Sequence, residues 1–345
     1  DARFKAAERS LHEREVVAGW VARIREQVNR FVELDGDAGL VVDNLDWTGG
    51  MDVVHFLRDV GKHFSVNEMV RKESVRARLE REGSGISYTE FSYLLLQSYD
   101  YVELARRHEC TLQIGGSDQW GNITAGMDLC RRMLGRQVHA LTLPLVTKAD
   151  GTKFGKTESG TVWLDARRTS PYSFYQFWLN SADADVGRFL RYFTFLSREE
   201  IEALDASLAE APERREAQRA LAREVTRVAH GESGLVSAER ITEALFSGAL
   251  QALDADDLAQ LELDGLPATA APASGTRIGE ALVGAGLAKS NSAAMQLVRS
   301  GAVSVNGEAV TAPATELASF RALPGGYLLL RRGKRHWGLV RLRTH

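Results

Sequence analysis

The sequence has few cysteines and no long apolar run, and both shortages exclude classes of protein. Cys110 and Cys130 are its only cysteines in 345 residues, too few for a disulfide framework or a cysteine-based zinc site. No apolar run approaches the roughly 18 residues of a membrane helix, and no secretory signal is recognisable at the start. With 44% apolar and 26% charged residues, the composition predicts a globular cytoplasmic protein without membrane association.

The spacing of two histidines and the absence of a methionine at the first position are also informative. His55 and His63 are separated by eight positions, without a third ligand in register, so we predict no metal site. The chain begins at Asp1 in a charged segment, and we expect further N-terminal residues to precede it.

Charge is distributed unevenly along the chain. Residues 276–345 contain ten Lys and Arg but three Asp and Glu, a net charge of +7. The whole chain carries −3, so the preceding residues carry −10. A basic end on an acidic body predicts a polyanionic partner, and Trp337 and His336 among the basic residues favour RNA over an ordinary solvated surface.

Four regions follow from the patterns. Residues 1–165 mix amphipathic helices with short apolar runs read as strands, "GLVVDNLDW", "CTLQIGG" and "HALTLPLVTK", which predicts an α/β domain with a parallel sheet. Residues 166–250 have helical periodicity throughout and predict a bundle. Residues 251–275 have the Ala, Pro and Gly content of a linker, and residues 276–345 predict a small α+β module.

The stretch "TKADGTKFGKTESG" nearly matches a phosphate-binding P-loop. Gly155, Lys156 and a threonine supply the second half of that motif, but its first glycine would fall at Asp150. The residues after Thr157 favour a strand rather than the helix that a P-loop requires. A basic surface turn is one alternative; a mobile clamp for a polyphosphate, with Lys153 and Lys156 on either side of a buriable Phe154, is the other.

Two further stretches predict a small-molecule site. In "LQIGGSDQWGNITAG" a strand ends in glycines, and Ser117 and Asp118 are placed to cap the next helix, the usual nucleotide position in an open α/β sheet. Asp118 serves either as that cap or as an acceptor for ribose hydroxyls. In "SYTEFSYLLLQSYDYVEL", Tyr93, Gln97 and Asp100 share one helix face, which is either solvated or lines a polar pocket.

Together these stretches resemble the bacterial tyrosyl-tRNA synthetase family, in order and along essentially the whole chain. The last module resembles the RNA-binding domain named after ribosomal protein S-four. The resemblance implies a class I aminoacyl-tRNA synthetase with a Rossmann-like catalytic domain and a dimer-interface insertion in residues 1–165, acting as a homodimer. Its substrates would be L-tyrosine, ATP and tRNA(Tyr), with Mg²⁺ from solution and no protein-held metal.

The resemblance implies roles for individual residues. The tyrosine site would comprise Tyr93, Gln97, Asp100, Gln113, Gln119 and Asp1. Within it, Tyr93 and Gln97 match residues that bind the ammonium group, and Asp100 matches the acceptor of the phenolic hydroxyl. Such an acceptor rejects phenylalanine by leaving polar groups unpaired, and the family is itself a standard example of this effect.

The ATP and RNA sites are implied in the same way. "KFGKT" matches the family's signature lysine loop, so Lys153, Lys156 and Thr157 would hold the departing pyrophosphate, and Gly116 and Asp118 would contact the ribose. The RNA-binding side chains would be Arg331, Arg332, Lys334 and Arg335.

One motif of the family is not found, and two alternatives remain open. The HIGH-type motif, which contacts ATP, does not occur in the 345 residues, so we expect the sequence as printed to be inactive in adenylate formation. The alternatives are a non-catalytic RNA-binding protein with a synthetase-like body and a tryptophanyl-tRNA synthetase. Asp100 and the basic module favour tyrosine.

Overall fold

The computed structural model divides the chain into two compact units, residues 1–147 and 148–345. It describes residues 13–34, 38–72, 75–76, 79, 86–152, 154–157, 160–333 and 336–343. Each unit has its own core and is described by itself.

The first unit consists of helices around a parallel pair of strands. Its helices are α1 (Arg14–Val28), α2 (Leu45–Thr48), α3 (Val53–His55), α4 (Val66–Arg71), α5 (Tyr88–Arg107) and α6 (Trp120–Leu134). A π-helical turn (Phe56–Val60) and a 3-10 turn (Gly61–His63) follow α3. Strands β1 (Leu112–Gly116) and β2 (His139–Leu143) pair in parallel, with Leu112 opposite His139. The parallel pairing expected for this region is therefore confirmed for these two strands.

Local sequence explains where α5 and α6 lie. The Ser87 hydroxyl caps α5 by accepting a hydrogen bond from Glu90 N at 3.2 Å. The helices pack closely because Gly126 has no side chain: a Cβ there would lie 3.0 Å from Tyr101 Cβ. Tyr101 is fully buried between them, and its hydroxyl donates to His139 O at 2.6 Å. This hydrogen bond holds α5 against β2. It thereby fixes which face of α5 points away from the core.

The second unit begins with a hairpin and a helical bundle. The strands β3 (Lys156–Thr157) and β4 (Gly160–Thr161) are antiparallel. The bundle contains α7 (Pro171–Leu179), α8 (Asp183–Phe193), α9 (Arg198–Glu210) and α10 (Glu216–Ser247). Ser170 caps α7 and Pro171 follows it, as the sequence predicts for a helix start. Gly231, with φ 74° and ψ 177°, interrupts α10.

The rest of the second unit is a five-stranded sheet with helices. Its helices are α11 (Ala255–Leu263), α12 (Ile278–Gly284) and α13 (Asn291–Arg299). Its strands are β5 (Ala268–Pro272), β6 (Val303–Val305), β7 (Glu308–Val310), β8 (Tyr327–Arg332) and β9 (His336–Arg343), in the spatial order β5-β9-β8-β6-β7. Only the β5–β9 pairing is parallel among these described strands. The α+β character predicted for residues 276–345 is thus found, but the sheet also includes β5, from the range predicted as a linker.

Residues 251–275 do not have the open structure of a linker that their composition suggests. Helix α11 and strand β5 occupy much of this range, and Leu258 and Leu261 are buried. These leucines share a core with Ile241 of α10 and Leu329 of β8. The helical bundle and the sheet therefore meet in one apolar cluster, and α11 lies within it.

The strand predicted over "GLVVDNLDW" is also wrong. Residues 39–43 have no regular structure, and α2 begins at Leu45. Here Asp43 accepts a hydrogen bond from Leu45 N at 2.9 Å, a local bond that favours a turn over extended backbone. The turn places the buried Trp47 against α5.

Candidate active site

One face of α5 carries the three polar residues that the helical spacing groups together. Tyr93, Gln97 and Asp100 all lie within Tyr88–Arg107, and Tyr93 is 40% exposed. Gln97 and Asp100 are half-buried. The face is thus neither fully solvated nor part of the apolar core, as expected for the wall of a polar pocket.

Asp100 is held by two side chains from the turn before and within α2. Trp47 Nε1 donates to one carboxylate oxygen at 2.8 Å, and Asn44 Nδ2 donates to the other at 3.2 Å. Burial raises the pKa of Asp100 above its ordinary value, and the two hydrogen bonds oppose that rise. The result is a fixed, partly desolvated acceptor at one end of the α5 face.

Gln97 belongs to an amide network with residues at the start of α6. Asn122 Nδ2 donates to Gln97 Oε1 at 2.8 Å, and Gln97 Nε2 donates to Gln119 Oε1 at 3.3 Å. Gln119 Nε2 in turn donates to Asp118 Oδ2 at 2.9 Å. These contacts bring three predicted site residues together and fix the orientation of their amides.

Strand β1 delivers two further predicted residues to the same part of the first unit. Gln113 is the second residue of β1, and its buried Oε1 has no hydrogen-bond partner among the described residues. Gly116 ends the strand, where a Cβ would lie 2.6 Å from Asp118 Oδ1. The glycine is therefore needed for the close approach of the Asp118 carboxylate.

Asp118 does not cap a helix, contrary to one of the two roles considered for it. The residues Ser117–Gln119 form a 3-10 turn, and α6 starts at Trp120 with Gln119 in the capping position. Neither start has a side-chain capping bond. The Asp118 carboxylate is thus left for other acceptor contacts.

The glycine-rich stretch in the second unit is a hydrogen-bonded turn followed by a hairpin. We name residues 147–163 the lysine loop. Lys148 N donates to Thr152 O at 2.9 Å, and Asp150 Oδ1 accepts from Thr152 N at 2.9 Å. Gly155 has a φ of 80°, which favours glycine. As the sequence predicts, a strand rather than a helix follows Gly155, so the P-loop interpretation is excluded.

Phe154 anchors the lysine loop in a cluster of aromatic rings. Its ring centroid lies 5.7, 5.3, 5.0 and 5.3 Å from those of Phe177, Trp178, Phe189 and Phe193. Lys153 lies outside the described residues. Lys156 and Thr157 are described as the backbone of β3, with Lys156 opposite Thr161.

Two of the four arginine and lysine residues predicted to bind RNA already have partners within the second unit. Arg331 lies with its Cζ 4.8 Å from the ring centroid of Trp337, and Arg332 Nη1 donates to Leu287 O at 2.7 Å. Lys334 and Arg335 lie outside the described residues, as does Asp1 of the predicted tyrosine site. Lys289, before α13, and Arg299, within it, are further exposed basic side chains, and sequence reasoning did not single them out as binding residues.

Sequence reasoning missed three side chains that organise the site. Asn44 and Trp47 stand more than 50 positions before Asp100, in a stretch misread as a strand. Asn122 lies in the recognised motif, and its position one helical turn after Asp118 was an available signal.

Comparison with known proteins reveals matches along the whole chain. A family model described as tRNA synthetases class I (W and Y) matches residues 1–247, and one described as a Tyrosine–tRNA ligase SYY-like C-terminal domain matches residues 257–340. The Tyrosine–tRNA ligase of Aliivibrio fischeri (strain MJ11) is 60% identical over 98% of this chain and 80% of its own length. That of Dechloromonas aromatica (strain RCB) is 54% identical over 99% and 80%.

The chain belongs to the tyrosine–tRNA ligase family. The resemblance inferred from the sequence motifs, and with it the class of aminoacyl-tRNA synthetase, is confirmed. The expected α/β fold with a small C-terminal domain is likewise confirmed. The relatives that decide the matter are tyrosine ligases, so the tryptophan alternative is not supported.

Two solved structures of tyrosine–tRNA ligase family members support the fold. The C-terminally truncated mitochondrial tyrosyl-tRNA synthetase of Aspergillus nidulans has a TM-score of 0.57 and 28% identity, over 70% of this chain and 72% of its own. The corresponding protein of Coccidioides posadasii has a TM-score of 0.53 and 29% identity, over 63% and 64%.

The described residues contain neither a membrane-spanning helix nor a metal-binding cluster. No described helix has both the length and the apolar character required to cross a bilayer. Within the same residues, no cluster of three or more His, Cys, Asp or Glu side chains is arranged to hold a metal ion.

Proposed function

We propose that the full-length protein joins L-tyrosine to tRNA(Tyr) in two steps, with ATP consumed in the first. The observation that carries the proposal is the arrangement on α5. Asp100, held by Trp47 and Asn44, lies on the same helix face as Gln97 and Tyr93. A fixed carboxylate suits a phenolic hydroxyl, and the tyrosyl and amide groups suit an ammonium group.

In the first step, the tyrosine carboxylate attacks the α-phosphorus of ATP, and pyrophosphate leaves with the bonding electrons. The attacking carboxylate is already ionised, so the step needs positioning and charge stabilisation rather than a strong base. Lys153, Lys156 and Thr157 are assigned to the departing pyrophosphate. Gly116 and Asp118 are assigned to the ribose, supported by the absence of a capping role for Asp118.

In the second step, a ribose hydroxyl at the tRNA terminus attacks the tyrosyl carbonyl, and AMP leaves. The buried Oε1 of Gln113, without a partner in the described chain, supports its assignment to the tyrosine site beside Gln119. A buried amide oxygen left unpaired is costly, and a bound substrate would satisfy it.

We assign tRNA binding to the helical region 166–250 and the basic region 276–345. The net charge of +7 in the latter supports contacts with phosphates. Arg331 and Arg332 contribute to this field while they also contact Trp337 and Leu287, and we assign Lys334 and Arg335 to the same RNA-binding role. Residues 251–275 join these regions as packed structure.

The remaining assignments concern assembly and surroundings. We propose a homodimer formed through the first unit, supported by exposed apolar side chains at Val53, Val54, Leu57 and Val66. Mg²⁺ would enter with ATP, and the cytoplasm is the compartment where charged tRNA is used. Sedimentation equilibrium would test the dimer: a monomer at micromolar concentration contradicts it.

Tyrosine-dependent exchange of pyrophosphate into ATP by the full-length protein tests the activity. We expect exchange with tyrosine and almost none with phenylalanine or tryptophan. Asp100→Asn serves as the variant and Asp205→Asn, in α9, as its matched control. No exchange by the wild-type protein, together with retained tRNA binding, would favour the non-catalytic RNA-binding alternative.

A further inference from the structure

A hydrogen bond to a buried carboxylate connects the lysine loop to α8. Asp185, in the first turn of α8, is 4% exposed, and its Oδ1 accepts a hydrogen bond from Ala149 N at 2.7 Å. Arg188 Nη2 donates to the same oxygen at 3.0 Å. The carboxylate thus accepts a hydrogen bond from a backbone group 36 residues away in sequence, and this bond does not contribute to the capping of α8.

A second point of attachment, Phe154, lies five residues after Ala149. Phe154 inserts among aromatic rings of α7 and α8, with Phe193 stacked at an interplanar angle of 21°. Aromatic pairs of this kind stabilise a contact beyond the effect of apolar burial alone. The same helix, α8, therefore holds the loop at both points.

Between these two points of attachment, the chain forms a turn that is held by its own hydrogen bonds. Gly151 N donates to Lys148 O at 2.9 Å, and the Thr152 hydroxyl donates to Asp150 Oδ1 at 2.6 Å. A closed turn has few ways to absorb a displacement at one end. Movement of Ala149 would therefore reach Phe154 and the start of β3, where Lys156 begins.

We propose that Asp185 is a positioning residue that sets where the lysine loop presents its lysines to the reacting phosphates. Asp185 touches no substrate and acts through Ala149 and the turn. This inference rests on the proposed adenylate-forming activity. Displacement of a catalytic group by about 1 Å can cost on the order of 100-fold in rate, so loss of this one acceptor is expected to depress kcat.

Three variants in the full-length protein test the proposal. Asp185→Ala removes the acceptor and should lower kcat for ATP–pyrophosphate exchange about 10- to 100-fold, with the KM for tyrosine within about 2-fold of wild type. Asp185→Asn keeps an oxygen that can accept from Ala149 N and should recover most of the rate. Asp205→Ala removes a carboxylate that binds Arg191 of the same helix and should leave kcat unchanged.

Limited trypsin digestion adds a measurement that does not depend on activity. Asp185→Ala should speed cleavage at the lysines of the lysine loop, while cleavage elsewhere stays at the wild-type rate. Unchanged kcat in a folded Asp185→Ala protein, or equal losses in the Ala and Asn variants, would overturn the proposal. If wild-type protein shows no exchange, the proposed function fails, and faster loop cleavage in Asp185→Ala alone still decides whether Asp185 holds the loop.

Discussion

The hydrogen bond from Trp47 to Asp100 allows a quantitative prediction about tyrosine recognition. Trp47→Phe keeps an aromatic ring in the buried position and removes the Nε1–H donor together with part of the indole ring. A hydrogen bond to a charged group contributes about 1.5–3 kcal/mol. Since Asp100 is half-buried and keeps the longer bond from Asn44, at 3.2 Å, water can replace part of the loss, and the lower end applies.

That loss translates into a pKa change, because the bond favours the ionised carboxylate. About 1.4 kcal/mol corresponds to one pKa unit, so the pKa of Asp100, already raised by burial, should rise by about one unit further. Protonated Asp100 is a poorer acceptor for the phenolic hydroxyl. Binding of tyrosine is therefore lost as the pH falls through this pKa, and in the variant it is lost at higher pH.

The assay is kcat/KM for tyrosine in pyrophosphate exchange, measured as a function of pH across the acid limb of the profile. We expect the acid limb of the Trp47→Phe profile to move up by about one pH unit, with the alkaline limb unchanged. Trp337→Phe, in the C-terminal sheet, is the matched control and should show no shift. An acid limb that stays in place in a folded Trp47→Phe protein would refute the reasoning.

Three other predictions concern the loop, the basic surface and α11. Lys156→Ala should lower kcat far more than it raises the KM for tyrosine, since its contact grows in the transition state; a change in KM alone contradicts this. Lys289→Glu with Arg299→Glu should weaken tRNA charging and flatten its salt dependence, with pyrophosphate exchange unaffected; unchanged charging would exclude this surface. Burial alone would raise the pKa of Asp257. Its hydrogen bonds to Arg240 and neighbouring groups outweigh burial and lower that pKa below its ordinary value of 3.8. The contribution of Asp257 to folding stability is therefore present above that pH and is lost as the pH falls below it. The Asp257→Asn variant should therefore have a smaller free energy of unfolding at neutral pH, by the lower end of about 3–5 kcal/mol. Its stability should fall less steeply than that of the wild type below pH 4. Parallel curves of stability against pH in chemical denaturation would contradict this prediction.

The sequence predicts contacts within one element better than contacts between elements. Helical spacing alone places Tyr93, Gln97 and Asp100 on one face, because a helix repeats every 3.6 residues. The bond from Trp47 spans 53 residues, and no local pattern encodes such a distance. The apolar residues before Trp47 favour a strand by propensity, yet the Asp43 side chain makes a turn.

The misreading of 251–275 has a physical cause as well. Strand β5 is an edge strand, where proline is tolerated at Pro272 because its missing N–H need not face a partner. Its small residues allow α12 to come close: a Cβ at Gly284 would lie 2.9 Å from the Thr269 hydroxyl. A composition of Ala, Pro and Thr is therefore also what a strand under a close-packed helix requires.

The apolar cluster shared by α10, α11, β8 and β9 limits how this protein can be recombined with its relatives. The cluster draws Ile241 and Ala244 from the bundle and Leu329 and Leu339 from the sheet. A chimera joined at residue 254 would take part of that core from each parent, and a joint at residue 276 would place β5 and β9 in different parents. Exchange of the RNA-binding end between family members thus requires matched side chains on α10, so the two regions are expected to vary together.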